Sequence, residues 1–182
     1  MDQQPLQNVV TTPQMKPPHA AGIVQANRIG NRYFPLFTNV RTLLLFTYIL
    51  KYPEQFGAAL LMSPAIYVPE PPLTSSSRKG TVFGSPFDAS IWQSVNYPTL
   101  IDDFFAKNLP IAFYVNAGDH DDFEIETQIG PLYKVMREHK FPVEMRVTSG
   151  IHDFAVWRAE LPEALRFICG EMRLPERMSP AK

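Results

Sequence analysis

The chain has 182 residues, a formal net charge of -1 and a hydrophobic content of 45%. This length and composition are sufficient to bury one sizeable core and predict a single domain. A near-neutral charge, without any block of like charges, argues against nucleic acid as a partner.

Cysteine content and the lack of long apolar segments narrow the class of protein further. Cys169 is the only cysteine, which excludes an intrachain disulfide and a thiolate metal cluster, and we expect it to be a small buried hydrophobe in the last helix. Residues 1–5 lack the basic start of a signal peptide. The longest apolar run, residues 43–50, is far shorter than the ~20 residues that a membrane span needs. We therefore expect no membrane partner and, by default, a cytoplasmic protein.

The first part of the chain differs in composition from the rest. Residues 1 to about 40 contain five prolines, scattered amides and no sustained hydrophobic period. This composition predicts irregular or disordered structure. The change of character near residue 40 predicts a segment over 1–40, a folded domain over 41–174 and a tail over 175–182.

From Arg41 onwards the pattern alternates between helices and strands. An apolar stripe through Leu44 and Tyr48 predicts a helix that stops before Pro53, because the residue before a proline is pushed out of the α region. The continuous apolar run 56–62 predicts a strand buried on both faces. Residues 64–97 then form a proline-rich excursion, and loops of that length inside compact domains are usually functional or mobile.

The second half repeats the alternation. The pattern predicts a helix over 100–105, a buried strand over 110–115, a helix that ends near His139, a strand over 143–147 and a last helix with Pro162 in its first turn. Alternation of this kind is typical of a parallel sheet with helices on both faces.

A histidine follows the last predicted strand. His152 lies on a loop at the C-terminal end of the strand and just before the last helix, and ligands bind at that edge in open α/β sheets. A histidine in this place can act as a base. The alternative is a surface loop histidine without a role.

An acidic turn follows the neighbouring predicted strand. Residues 118–122 read Gly-Asp-His-Asp-Asp, and a carboxylate from this turn can fix the tautomer of His152 and stabilise the imidazolium. Two alternatives stay open here. Asp121 and Asp122 cap the following helix, or Asp119, His120, Asp121 and His152 bind a metal ion. No helical two-histidine motif supports the metal alternative, and we expect neither a metal nor a cofactor.

Several short motifs between Thr47 and Met172 occur in a consistent order. The most specific is Gly-x-His-Asp-(aromatic)-x-x-Trp over residues 150–157; the others are Lys51–Phe56 with Met62-Ser63-Pro64, Val82–Phe87 and Gly118–Asp121. On these motifs the chain resembles the esterase family of serine α/β-hydrolases that includes esterase D-like, feruloyl and siderophore esterases.

The resemblance implies an α/β-hydrolase-like fold, with a mainly parallel sheet and flanking helices, and a carboxylic-ester hydrolase acting on a small-molecule ester. Asp121 falls on the triad acid and His152 on the triad base. The excursion 64–97 would form a lid or a substrate pocket, with apolar walls from Phe83, Phe87, Trp92 and Tyr97, although these aromatic residues fit a plain core equally well.

The nucleophile of such enzymes is missing from its expected place. The family holds it in Gly-x-Ser-x-Gly on a strand-to-helix turn, which corresponds here to about residues 25–41. That window contains no serine, and the motif occurs nowhere in the chain. Ser63 closes a buried strand at the same edge, but Ser63-Pro64 lacks the glycines of such a turn. We therefore expect a domain truncated at its N-terminal side with impaired or absent catalysis. The alternatives are a non-catalytic pseudoenzyme or binding module, and a gene remnant.

Overall fold

The computed structural model of the protein describes residues 27–29, 32–34 and 36–171. Its helices and strands, in chain order, are β1 (Asn27–Ile29), β2 (Arg32–Phe34), β3 (Leu36–Asn39), α1 (Val40–Lys51), β4 (Ala58–Pro64), α2 (Ala89–Val95), α3 (Tyr97–Ala106), β5 (Ala112–Gly118), α4 (Ile125–Glu138), β6 (Val143–Thr148) and α5 (Phe154–Glu171). Strands β1 and β2 form an antiparallel pair, whereas the main sheet has four parallel strands in the order β3-β4-β5-β6.

Helices cover both faces of the main sheet. Along β4, Ala59 and Leu61 pack into one hydrophobic cluster together with residues of α1, α3 and α4. Leu60 and Met62 point to the opposite face and pack into a second cluster with residues of α5. All seven residues of β4 are buried, which explains why its sequence is continuously apolar. The predicted fold class, a mainly parallel α/β sheet with flanking helices, is confirmed.

The excursion after β4 contributes to the core. Trp92 on α2 is fully buried, and its ring centroid lies 4.9 Å from that of Phe83. Its indole N–H and the Asn96 side-chain amide both donate hydrogen bonds to the carbonyl of Tyr67. Phe83 and Tyr97 are also buried. Of the two interpretations of these aromatic residues, packing into the core describes Phe83, Trp92 and Tyr97, because all three are buried in the hydrophobic cluster that contains Ala59 and Leu61 of β4.

Ordered structure begins earlier in the chain than the composition predicted. The expectation of irregular structure up to residue 40 is wrong for Asn27–Ile29, Arg32–Phe34 and Leu36–Asn39, which form strands, and β3 pairs with β4 over Leu36–Asn39. These strands have three or four residues each, too few to show a period of two along the sequence. Residues 1–26 and the tail 175–182 lie outside the described residues.

The last helix also differs from its predicted form. Pro162 lies inside α5 rather than in its first turn, because Asp153 already starts the helix by accepting hydrogen bonds from the amides of Ala155 and Val156. Cys169 is exposed, so the expectation of a buried thiol is wrong. Within the part of the chain that the structure describes, no helix is both long and apolar enough to cross a membrane.

The buried position of Trp92 leads to a stability prediction. Replacing Trp92 by alanine removes a fully buried ring and should lower the free energy of unfolding by about 3–5 kcal/mol, measured by urea denaturation. Leu73→Ala is the matched control, because Leu73 lies in the same excursion with 83% of its surface exposed and should change stability by less than about 0.5 kcal/mol. Equal effects of the two substitutions would contradict this account of the excursion.

Candidate active site

The loops after β5 and β6 meet at one edge of the sheet. The two strands are parallel neighbours whose last paired residues are Gly118 and Thr148. The backbone pairing continues past the strands, since the amide of Asp119 donates to the carbonyl of Thr148 and that of His120 donates to the carbonyl of Gly150. This register brings the acidic turn of residues 118–122 beside the loop that carries His152.

Asp121 and His152 form a buried pair. The Nδ1 atom of His152 lies 2.7 Å from Oδ2 of Asp121, and the side chains are 7% and 0% exposed. Because an ionised carboxylate can only accept hydrogen bonds, an ionised Asp121 would pair with a protonated Nδ1 at this distance. The second oxygen of Asp121 accepts a hydrogen bond from the amide of Phe123, which fixes the carboxylate in turn.

Two aromatic rings contact the imidazole of His152. The ring of Phe123 lies 4.9 Å away at an interplanar angle of 86°, and the ring of Trp157 lies 5.3 Å away at 89°. The indole N–H of Trp157 donates a buried hydrogen bond of 3.0 Å to Oγ of Ser63. Ser63 is fully buried and has a φ of 41°, in the left-handed region that few non-glycine residues adopt.

Two glycines allow the loops to approach each other closely. A Cβ atom at Gly118 would lie 2.3 Å from the carbonyl oxygen of Gly150. Gly150 itself has a φ of 146°, and a Cβ atom there would lie 2.4 Å from Cγ2 of Val156. Both distances are shorter than any real contact of a side chain, so glycine is required at each position.

Asp119 connects the two loops through its side chain. Its Oδ1 accepts a 2.9 Å hydrogen bond from the amide of Gly150 and lies 2.7 Å from Nδ1 of His120. The bond from Gly150, followed by that from His120, holds the pKa of the Asp119 carboxyl below its usual value. The same contact with Asp119 raises the pKa of His120. Asp119 therefore helps to hold the His152 loop, a role that no sequence pattern indicates because its partner is a backbone amide.

The two alternative interpretations of the acidic turn do not fit the geometry. The residue that precedes α4 is Glu124, with a φ of 55° and no side-chain capping bond, so the interpretation of Asp121 and Asp122 as helix caps is wrong. The proposed metal ligands instead form two separate pairs, Asp119 with His120 and Asp121 with His152. Among the described residues, no group of three or more acidic, histidine or cysteine side chains could hold a metal ion.

The structure has a small cavity beside His152. A cavity of about 20 Å³, enough for about one water molecule, is lined by His152, Phe123, Tyr67, Ser75 and three further residues. Burial, with a contribution from the nearby Asp121 carboxylate, raises the pKa of the Tyr67 phenol to about 12, so this hydroxyl keeps its proton at neutral pH. Of the four aromatic residues considered as pocket walls, none lines this cavity.

A larger groove is lined by residues of the His152 loop and of α5. It has a volume of about 350 Å³ and is lined by residues 148–151, Asp153, Ala155, Val156 and Ala159. His152 is not part of its lining. The groove therefore offers space for a small molecule, but the imidazole does not contribute to its walls.

Comparison with known proteins identifies the fold. No protein-family model matches the sequence, and no curated protein sequence gives a significant match. Among solved structures, a ferulic acid esterase is similar with a TM-score of 0.51 and 22% identity, covering 70% of this chain and 47% of that one. The S-formylglutathione hydrolase of Staphylococcus aureus is similar with a TM-score of 0.52 and 12% identity, covering 74% of this chain and 50% of the other.

These likenesses establish the architecture. The chain has the α/β-hydrolase fold, as the resemblance implied. It spans about half the length of the two structures that it matches, and at these identities the likeness concerns the fold alone. The catalytic roles of Asp121 and His152 stay predictions.

The close approach of the two loops predicts the effect of a single methyl group. Gly118→Ala would push its Cβ atom into the Gly150 backbone and should lower the free energy of unfolding by about 1–3 kcal/mol. Gly130→Ala, within α4, is the matched control, because the added Cβ atom meets no other atom within 4 Å. This substitution should raise the free energy of unfolding by about 0.5–1 kcal/mol. Chemical denaturation measures both. Stabilisation by Gly118→Ala would contradict the described contact.

The lowered pKa of the Asp119 carboxyl predicts that the stability of the fold depends on pH. Because its folded-state pKa is lowered, its charged form stabilises the fold above the unfolded pKa of about 3.9, and this contribution is lost as the pH falls through the folded-state pKa. The difference in free energy of unfolding between the wild type and Asp119→Asn should therefore shrink as the pH falls below about 5.

His120→Gln serves as the control for this pH profile. The raised pKa of His120 stabilises the fold below the unfolded pKa of about 6.5, and that contribution is lost as the pH rises through the folded-state pKa. The His120→Gln variant should lose this neutral-pH dependence but keep most of the acid dependence, because the Gly150 amide is the larger cause of the Asp119 shift. If the free energy of unfolding of Asp119→Asn depends on pH below about 5 as strongly as that of the wild type, the acid dependence does not come from Asp119.

Proposed function

We propose that the chain is the acid–base part of a carboxylic-ester hydrolase of the serine-esterase type, with Asp121 as the triad acid and His152 as the triad base. One observation carries the proposal: the 2.7 Å contact between these two buried side chains, on loops that follow neighbouring parallel strands. Ligands of open α/β sheets bind at this edge. The substrate would be a small-molecule ester, as in the hydrolases that share the fold.

The geometry is suited to proton transfer in ester hydrolysis. In a serine esterase, the hydroxyl attacks the ester carbonyl while Nε2 of the histidine accepts its proton. The imidazolium then gives this proton to the departing alcohol, and a water molecule repeats the sequence to release the acid. Asp121 would stabilise the positive charge on His152 during both steps, because its carboxylate is held by the Phe123 amide as well.

The lack of the expected nucleophile motif limits the chemistry that this chain can perform. The family holds its serine on the strand-to-helix turn that precedes the central helix, and the corresponding turn between β3 and α1 has the sequence Thr38-Asn39-Val40. No Gly-x-Ser-x-Gly occurs in the sequence. A triad that lacks one member retains only weak catalysis. We therefore propose that ester turnover by this chain is impaired, and that a complete absence of turnover belongs to the non-catalytic alternative.

A second candidate function is a non-catalytic binding module. It is favoured by the groove of about 350 Å³ beside the His152 loop, which falls within the range of about 300–1,000 Å³ that is typical of small-molecule sites. Such a module would keep the folded loops without turning over an ester.

The esterase proposal predicts slow turnover that depends on His152. Hydrolysis of p-nitrophenyl acetate should proceed with a kcat at least about 10³-fold below the typical enzyme value of about 10 s⁻¹. His152→Gln should reduce it to the buffer rate, and Asp121→Asn should reduce it strongly. His139→Gln is the matched control, because His139 lies at the opposite end of α4, stacked on Phe105.

Labelling and melting experiments separate the candidates. A fluorophosphonate probe should leave the chain unlabelled, and stoichiometric labelling of a serine would show that the chain does contain a nucleophile. If the soluble chain shows neither labelling nor turnover that depends on His152, the esterase proposal fails. A cooperative thermal melt would then support the binding module, whereas its absence would indicate a gene remnant.

A further inference from the structure

We infer that Ser63 and Trp157 are positioning residues for His152: the hydrogen bond from the Trp157 indole to the Ser63 hydroxyl fixes the indole ring against the imidazole. The function of this arrangement rests on the proposed acid–base role of His152. Its structural part does not, and it can be tested in a chain without any turnover.

Two aromatic rings pack against the imidazole in addition to the hydrogen bond with Asp121. Phe123 and Trp157 both stand nearly perpendicular to the imidazole, at centroid distances of 4.9 and 5.3 Å. Edge-to-face contacts at these distances are favourable. A displacement of the Trp157 ring would therefore change the packing around the imidazole.

Trp157 is held from the centre of the sheet. Its side chain is almost fully buried, so its N–H needs an acceptor, and the Ser63 hydroxyl provides one at 3.0 Å. Trp157 lies in the first turns of α5, five residues after His152, whereas Ser63 lies near the end of the central strand β4. The bond thus joins the unit that carries His152 to a strand that is not a neighbour of β6.

The backbone of Ser63 supports a specific role for this residue. Its φ of 41° is unfavourable for a residue with a side chain, and such conformations persist where the surrounding structure requires them. The left-handed conformation is accompanied by a hydroxyl that accepts the Trp157 N–H. Accepting this bond withdraws electron density from the oxygen, which argues for Ser63 as a positioning residue and against Ser63 as the nucleophile.

The inference is tested by measuring hydrogen exchange at the imidazole of His152. In a chain labelled with ¹⁵N-histidine, His152→Gln identifies the Nδ1–H resonance of His152, whose proton is protected by Asp121. Ser63→Ala leaves the buried indole N–H without its acceptor and should speed exchange of this proton with water about 10-fold. Trp157→Phe keeps an aromatic edge but removes the donor, and it should have a similar effect. In the double variant the effects should not add, because both substitutions remove the same bond.

Two further variants serve as controls. Ser77→Ala removes another buried serine hydroxyl, one that has no hydrogen-bond partner, and it should leave the His152 resonance unchanged. Ser63→Gly removes the hydroxyl but suits the positive φ, so it tests the inference even if Ser63→Ala does not fold. Ser63→Gly should accelerate the exchange as much as Ser63→Ala.

The outcomes are distinguishable from those of the esterase proposal. Unchanged exchange in Ser63→Gly and Trp157→Phe, additive effects in the double variant, or fluorophosphonate labelling of Ser63 would each overturn the inference. Absence of ester turnover in the wild type counts against the esterase proposal only. If turnover is measured, Ser63→Gly should lower kcat about 10-fold with KM unchanged, because orientation of the base affects the chemical step.

Discussion

The close contact between Gly118 and Gly150 is the constraint on which the site depends. These glycines end strand β5 and begin the loop after β6, and the space between their backbones excludes even a methyl group. Because the strands are parallel neighbours, the contact brings a carboxylate from one loop within hydrogen-bond distance of an imidazole from the next. Asp119 strengthens the same junction by accepting a hydrogen bond from the amide of Gly150. The Asp121–His152 pair is a consequence of this packing.

Support for the pair extends through the domain. The Phe123 amide holds the carboxylate, and the rings of Phe123 and Trp157 contact the imidazole. Trp157 in turn reaches Ser63 on the central strand. A charged or polar group in the interior is favourable only when its partners are fixed in advance. The chain therefore contains an organised carboxylate–imidazole pair, whereas Gly-x-Ser-x-Gly occurs nowhere in its sequence.

The excursion after β4 reaches the site through residues other than the four aromatic ones that were considered as pocket walls. Its length and its aromatic residues predicted a lid or pocket wall as readily as a core. In the fold, Phe83 and Trp92 fill the space between the excursion and the sheet, and the small cavity beside His152 is bordered instead by Tyr67 and Ser75. Burial of a large apolar surface stabilises the folded state more than an open pocket does.

The sequence by itself determined the alternation of helices and strands, the two-sided burial of β4, the place of His152 after the last strand and the absence of Gly-x-Ser-x-Gly. These are local properties, because side-chain period and loop position follow from consecutive residues. Only the tertiary structure decided that Asp121 contacts His152 while Asp119 holds Gly150, and that Ser63 accepts the Trp157 N–H. The partners in these contacts are 31 residues apart in the first two cases and 94 in the third. Strand register and packing set such distances, and no periodicity in the chain encodes them.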